Sequence, residues 1–236
     1  MGGPLGIADH PASRPQGSLL GLPKSFSDRL LAEAKTVILQ EDEILFEHGQ
    51  PGDGCYFVHQ GVLKVTRQSS SGEQRILAVL GPGAIVGELA MIDGLPRSAT
   101  IVALRLSRLS FVARAGFLAA SRETPGIHEY LVNTLAARLR NADEDAAATS
   151  FLRVSSRVAR ALLQIAEHLG EPTVDADRIV VRHKMRQSDI AALAGVARES
   201  VSRTISEWRR RGLIEILERN AYKIARSHLE AEASRE

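Results

Sequence analysis

A chain of 236 residues has room for one or two domains with substantial cores, and 44% hydrophobic against 25% charged residues is a globular composition. The formal net charge of +2 excludes a polycation, so any contact with nucleic acid must rest on charge gathered locally. A single cysteine, Cys55, excludes a disulfide framework and a four-cysteine metal or iron–sulfur set.

No apolar run approaches the roughly 20 residues of a membrane span, and the N-terminus lacks a basic segment leading into an apolar core. A cytoplasmic protein without membrane contact is the expectation. The histidines show no close metal-like pairing, so no metal is expected either.

Residues 1–24 are rich in Gly, Pro and Ser without a sustained period, which predicts a mobile tail. Ser27-Asp28 can then cap a short helix through Leu30, Leu31 and Ala34. From Thr36 short apolar alternations take over, at Val37-Ile38-Leu39, Ile44-Leu45-Phe46, Tyr56-Phe57-Val58, Val62-Leu63-Lys64-Val65 and Arg75-Ile76-Leu77-Ala78-Val79. Turn residues at 48–54, 60–61 and 69–72 separate them, and many short strands with regular turns predict a small antiparallel barrel or roll. Strands resume at residues 99–104 and 108–112, so this domain, residues 25–124, continues on both sides of the stretch between.

That stretch, residues 81–100, gathers Gly81, Gly83, Gly87 and Gly94 with Pro82, Pro96, Glu88 and Arg97. Glycine lets main-chain N–H groups approach a ligand and form an anion-binding concavity, and a guanidinium fork matches a phosphate bidentately. An ionised Glu88 only accepts hydrogen bonds, so beside an anion it suits a donor such as a ribose hydroxyl. Phosphate donors with a sugar acceptor point to a nucleotide. Gly87-Glu88-Leu89-Ala90 followed by Arg97-Ser98-Ala99-Thr100 resembles the phosphate-binding cassette of cyclic-nucleotide-binding domains. The order Gly49, Gly52-Asp53, Tyr56, Gly61 resembles the same family. The resemblance implies that Glu88 meets the ribose 2′-hydroxyl and that Arg97 and Ser98 hold the cyclic phosphate.

From Pro125 the period lengthens. Tyr130, Leu131, Leu135, Leu139, Ala142 and Ala146 recur at spacings of three and four, which predicts one helix to about Leu152. A helix this long between two compact units, residues 125–152, suits a dimer seam, and its small residues would let two copies approach. A hinge is expected near Phe151-Leu152. A second helix at residues 155–169 turns Val158, Leu162, Leu163 and Ile165 inward; a loop at 170–175 and a strand at 179–181 follow.

Positive charge gathers in residues 184–212. Within residues 198–211 five arginines against two glutamates leave +3. Helices at 188–194 and 198–211 flank the turn Gly195-Val196, a helix-turn-helix arrangement. At 100° per residue Val201, Ile205 and Trp208 fall within about 60° and form a packing stripe. Glu199, Ser202, Arg203 and Ser206 project from the other side, with Arg198 in the first turn. Arginine can donate to guanine O6 and N7, and a carboxylate can accept from cytosine N4, so this face can read a major groove. Glu199 is then a base reader or an orienter of Arg203; an intrahelical Glu199–Arg203 pair is the alternative. A β-hairpin wing is expected at residues 213–216 and 221–224.

This half, residues 153–236, resembles the winged helix-turn-helix of the cyclic-AMP receptor protein and fumarate–nitrate regulator (Crp/Fnr) superfamily, most closely at Arg198-Glu199-Ser200-Val201-Ser202-Arg203. The resemblance spans roughly residues 25–224. It implies an α+β chain: an N-terminal cyclic-nucleotide-binding β-roll, a long dimerisation helix and a C-terminal winged helix-turn-helix. The implied partners are palindromic double-stranded DNA, a second copy of the chain and RNA polymerase. Its DNA-contacting positions map to Gln187, Arg198, Glu199, Ser200, Ser202 and Arg203.

The chain departs from the family pattern in two places. Arg186 and Ala197 stand where side-chain N-caps belong. On the long helix the family's cyclic-AMP regulators carry a Thr-Ser pair against adenine, and this chain has Ala142-Asp143. Asp143 could accept from adenine's amino group or from the two adjacent N–H donors of guanine, or it could belong to the acidic face with Glu144 and Asp145. Arg138 could reach the phosphate or sit solvated on the seam. The expected function is a homodimeric transcription regulator gated by cyclic AMP or cyclic GMP; the alternative is a regulator of this type with a different effector or none. Haem sensing would need an axial ligand; His48 or His59 could be named, and nothing in their spacing favours it. No Gly-x-Ser-x-Gly elbow, phosphate-binding Gly-x-x-x-x-Gly-Lys loop or metal triad is present, so an enzyme is not expected.

Overall fold

The computed structural model describes residues 26–27, 30–31, 34–124, 126–182, 186–218 and 221–235. The expected tail at 1–24, the cap at Asp28, residues 219–220 of the wing turn and the Tyr130 side chain lie outside the described residues.

Six strands make the first unit: β1 (Lys35–Leu39), β2 (Ile44–Phe46), β3 (Gly54–Gln68), β4 (Gln74–Leu80), β5 (Ile85–Val86) and β6 (Thr100–Ala113). They pair antiparallel in the order β1-β6-β3-β4, with β2 also on β6 and β5 also on β3. Alternation puts Leu39, Phe46, Val58, Leu63, Leu80, Val86 and Leu109 inside the roll. The two strands expected at 99–104 and 108–112 are one. No glycine or proline interrupts residues 105–108, the Ser107 hydroxyl donates to Arg105 O at 2.7 Å, and register shifts along β3 absorb the irregularity.

A second apolar cluster closes one end of the roll, where Phe26, Leu30, Cys55, Phe57, Met91, Val112 and Phe117 meet Ile127. Two short helices supply part of it: α1 (Glu88–Asp93) and α2 (Arg114–Arg122), the latter not anticipated from the sequence. Burial pushes the Cys55 thiol up to about 12, so it is an inert packing group.

Helix α3 (Ile127–Phe151) carries two apolar faces. Ile127 and Leu131 pack into the cluster just described, so Leu131 leaves the seam with which its spacing grouped it. Val132, Leu139, Ala142 and Ala146 lie exposed, with Leu135 half-buried between them. Leu152 is extended and ends the helix at the expected hinge.

The second unit runs α4 (Val154–Leu169), β7 (Gly170–Pro172), β8 (Arg178–Val181), α5 (Gln187–Ala194), α6 (Arg198–Arg210), β9 (Ile214–Ile216), β10 (Tyr222–Ala225) and α7 (Arg226–Ala233). Its sheet has the order β7-β8-β10-β9; the first part of the loop expected at 170–175 is a short strand on β8. Helix α7 was not anticipated, because its start is capped from afar: Ser227 N donates to Asp177 Oδ1 at 2.8 Å. Val158, Leu162 and Ile165 of α4 pack with Ile190, Val201, Ile205 and Trp208. The same cluster takes in Val62, Ile76, Val79 and Leu104 from the outer face of the roll, so the two units share one apolar core.

Candidate functional site

Gly87 stands at φ 77°, the left-handed region, and starts α1 there. A β-carbon at Gly87 would fall on the Arg97 guanidinium, so glycine is required by the neighbour as well as by the turn. Glu88 and Arg97 are 4% and 2% exposed. Arg97 Nη1 donates to Gly54 O at 2.6 Å and to Gly87 O at 3.0 Å, and Nη2 to Asp53 Oδ1 at 3.1 Å. The Phe46 ring lies 4.3 Å from its guanidinium carbon. Glu88 is paired with Arg138, which reaches down from α3 and also donates Nη2 to Ile85 O at 2.8 Å. Arg138 is therefore neither a solvated seam residue nor turned only to a ligand. It ties the long helix to the roll.

These groups line a small, partly open cavity walled by Phe46, Val65, Leu80, Val86 and Ile101. Leu89, Ala90 and Ser98 line it too, and the N–H groups of the first turn of α1 have no intrahelical acceptor. Arg97 Nε and Arg138 Nε are buried with no partner among the described residues. Orphaned cationic donors beside one buried acceptor and apolar walls fit an anion that carries a sugar and a base. Asp143 is exposed and outside the cavity. Five residues beyond Arg138, it points about 140° away around the helix.

The second candidate surface is α6. Val201, Ile205 and Trp208 are buried as the stripe required, while Arg198, Glu199 and Arg203 are exposed and Ser200 and Ser202 half-buried. Arg203 Nε donates to the Glu199 main-chain O at 3.4 Å, and the two side chains make no ion pair among the described residues. Gln187 opens α5, half-buried. Gly195, at φ 61°, makes the tight turn between the helices. Neither helix has a side-chain N-cap. Instead the first turns tighten, with Asp189 N on Arg186 O at 2.9 Å and Ser200 N on Ala197 O at 3.0 Å. Asp189 and Glu199 add negative charge at the positive helix ends.

Residues 36–123 match the cyclic nucleotide-binding domain family, and residues 156–231 match the Crp-like helix-turn-helix domain. A CRP-like cAMP-activated global transcriptional regulator of Mycobacterium tuberculosis is 30% identical over 200 residues, 85% of this chain and 88% of the relative. The cyclic AMP receptor protein of Thermus thermophilus is 32% identical over 196 residues, 83% of this chain and 87% of the relative. The chain belongs to the Crp/Fnr family of transcription regulators. The solved structure of a CRP/FNR-family transcriptional regulator from Thermus thermophilus has the same fold: TM-score 0.71, 24% identity, 84% of this chain and 98% of that one. Like its Crp/Fnr relatives, the chain couples a cyclic nucleotide-binding domain to a DNA-binding helix-turn-helix domain. Among the described residues no group of three or more His, Cys, Asp or Glu could hold a metal ion, and no helix is long and apolar enough to cross a membrane.

In this Crp/Fnr chain Arg97 also fastens the segments at 53–54 and 87 to its own, so its loss reaches beyond any ligand. Hydrogen bonds from a charged group contribute about 1.5–3 kcal/mol each. Arg97→Ala should therefore lower unfolding free energy in urea by about 3 kcal/mol, measured without nucleotide. Unaltered stability would restrict Arg97 to ligand contact.

Proposed function

We propose that this chain is a homodimeric, sequence-specific transcription regulator that works with RNA polymerase and is controlled by cyclic AMP or cyclic GMP. The nucleotide sits over α1 with its phosphate on Arg97, Ser98 and the N–H groups of Leu89 and Ala90. Its ribose 2′-hydroxyl donates to Glu88, and Gly87 leaves room for the approach. The observation that carries this reading is that two guanidinium side chains, each with a buried and unpartnered Nε, line one cavity beside a buried carboxylate. A cyclic nucleotide supplies both the anion and the donor.

The row of Val132, Leu135, Leu139, Ala142 and Ala146, exposed except for the half-buried Leu135, has the three-and-four spacing of a helix seam and suits a second copy of α3. Asp143 then meets the base from the other protomer's helix, since it points away from its own cavity. Cyclic AMP is supported by the names of both relatives; the acceptor-only chemistry of Asp143 admits guanine equally. In DNA, Arg203 reads guanine in the major groove, Glu199 reads cytosine or orients Arg203, and Gln187, Arg198, Ser200 and Ser202 fix the register. A regulator with a different effector or none is favoured by one observation: Glu88 is already paired with Arg138, and Arg97 with Asp53.

Calorimetry with cyclic AMP, cyclic GMP and 2′-deoxy cyclic AMP tests the nucleotide reading. The ribose nucleotide should bind about tenfold more tightly than its deoxy analogue, and Glu88→Gln should erase most of that difference. Equal affinities in the unsubstituted protein would remove Glu88 from the ribose, and no binding of any of the three would leave the alternative. On DNA, Arg203→Ala should lose about 1–3 kcal/mol of discrimination at one base pair; an equal loss on every sequence would mean a phosphate contact only.

A further inference from the structure

The segment between α1 and β6 is held at its main chain almost residue by residue. Arg97 N donates to Gln50 O and Gly49 N to Arg97 O, both at 2.8 Å. At Thr100, where β6 begins, the hydroxyl accepts from His48 N at 3.0 Å. The ladder between β3 and β6 stops at the pair Thr66–Thr100, so the Ser98 carbonyl lies beyond it. A side chain takes over there: Arg67 Nη1 donates to Ser98 O at 2.8 Å.

Arg67 belongs to the cavity side of β3. Successive strand residues face opposite sides, and β3 pairs with β6 without a shift from Leu63 to Thr66. Val65 lines the cavity, while Lys64 turns the other way and meets Asp189 of α5. Two residues on from Val65, Arg67 stands exposed at the rim. Across the ladder to β4 it faces Arg75, and like charges directly opposite repel. Among the described residues its one hydrogen bond is the bond to Ser98 O. The cation at 67 therefore answers to Ser98 and not to its own ladder.

Resting on the nucleotide reading above, we infer that Arg67 is a positioning residue for the phosphate subsite: it fixes the main chain of Ser98 and so aims the Ser98 hydroxyl at the cyclic phosphate. Ser98 lines the cavity and Arg67 does not. A serine outside any strand would have to be ordered when the ligand arrives, and that ordering weakens binding. Fixing its carbonyl beforehand removes the cost. Arg97 has supports of its own in Gly54, Gly87 and Asp53, so loss of Arg67 falls on Ser98 and leaves the Arg97 fork in place.

The test is calorimetry on the full chain with cyclic AMP, cyclic GMP and the Rp and Sp phosphorothioates of each. Arg67→Met, Ser98→Ala and the double variant are compared. Both residues are exposed and outside every apolar cluster, so the substitutions leave the cores untouched. Arg67→Met should weaken binding of the effector nucleotide about fivefold, yet by less than about twofold once Ser98→Ala is present. Each phosphorothioate replaces one exocyclic oxygen by sulfur, so Arg67→Met should also move the Rp-to-Sp affinity ratio in the same direction as Ser98→Ala. Unchanged affinity in Arg67→Met would overturn the inference. So would an equal loss in both backgrounds, which would mean a charge acting directly on the anion, or a ratio that moves with Ser98→Ala alone. Each of these leaves the nucleotide reading standing. An unsubstituted protein that binds neither nucleotide would overturn both.

Discussion

The Glu88–Arg138 pair is the contact on which the rest of the molecule depends. A carboxylate that is 4% exposed is costly to bury without a partner, and the partner here comes from the long helix, fifty residues away in sequence. Arg138 then spends a second N–H on Ile85 O, so α3 is held against the mouth of the cavity by charge rather than by apolar packing alone. Arg97 supplies the matching constraint on the roll side, closing residues 53–54 and 87 around itself. In the proposed function, a nucleotide entering between these two cations would compete for Glu88 and add an anion to both. Any change in how Arg138 is shared is felt by α3, whose outer apolar row is open to a second copy.

Much of this was legible in the sequence because the signals are local. Turn glycines, the Glu88-to-Arg97 spacing and the stripe Val201, Ile205, Trp208 each express a short-range rule, and the roll, the long helix and the helix-turn-helix appear where those rules placed them. What escaped was long-range. The cap of α7 comes from Asp177, fifty residues earlier, so no local start signal exists. Leu131 shares a period with Leu135 and Leu139, yet it turns to Ile127 and the roll; period alone does not say which neighbour a face will meet. The outer residues Val62, Ile76 and Val79 read as ordinary strand alternation, and only the fold reveals that their far side is a second domain rather than water.

The missing N-caps have a physical resolution of the same kind. At Arg186 and Ala197 the tightened first turns satisfy an N–H that a capping side chain would otherwise take. Asp189 and Glu199 stand near the positive ends of the helix dipoles. Asp189 thereby serves its own helix and its ion pair with Lys64 of β3 together, and Glu199 is left on the exposed face, available to DNA.

In the proposed function the cavity and the DNA-binding helix are energetically linked, and linkage is reciprocal. The most direct measurement is the affinity of the protein for cyclic AMP and for cyclic GMP, first alone and then saturated with a palindromic duplex obtained with it by in vitro selection. The effector nucleotide should bind more tightly on DNA by the same factor, about fivefold or more, by which that nucleotide tightens DNA binding. Identical nucleotide affinity with and without the duplex would contradict it.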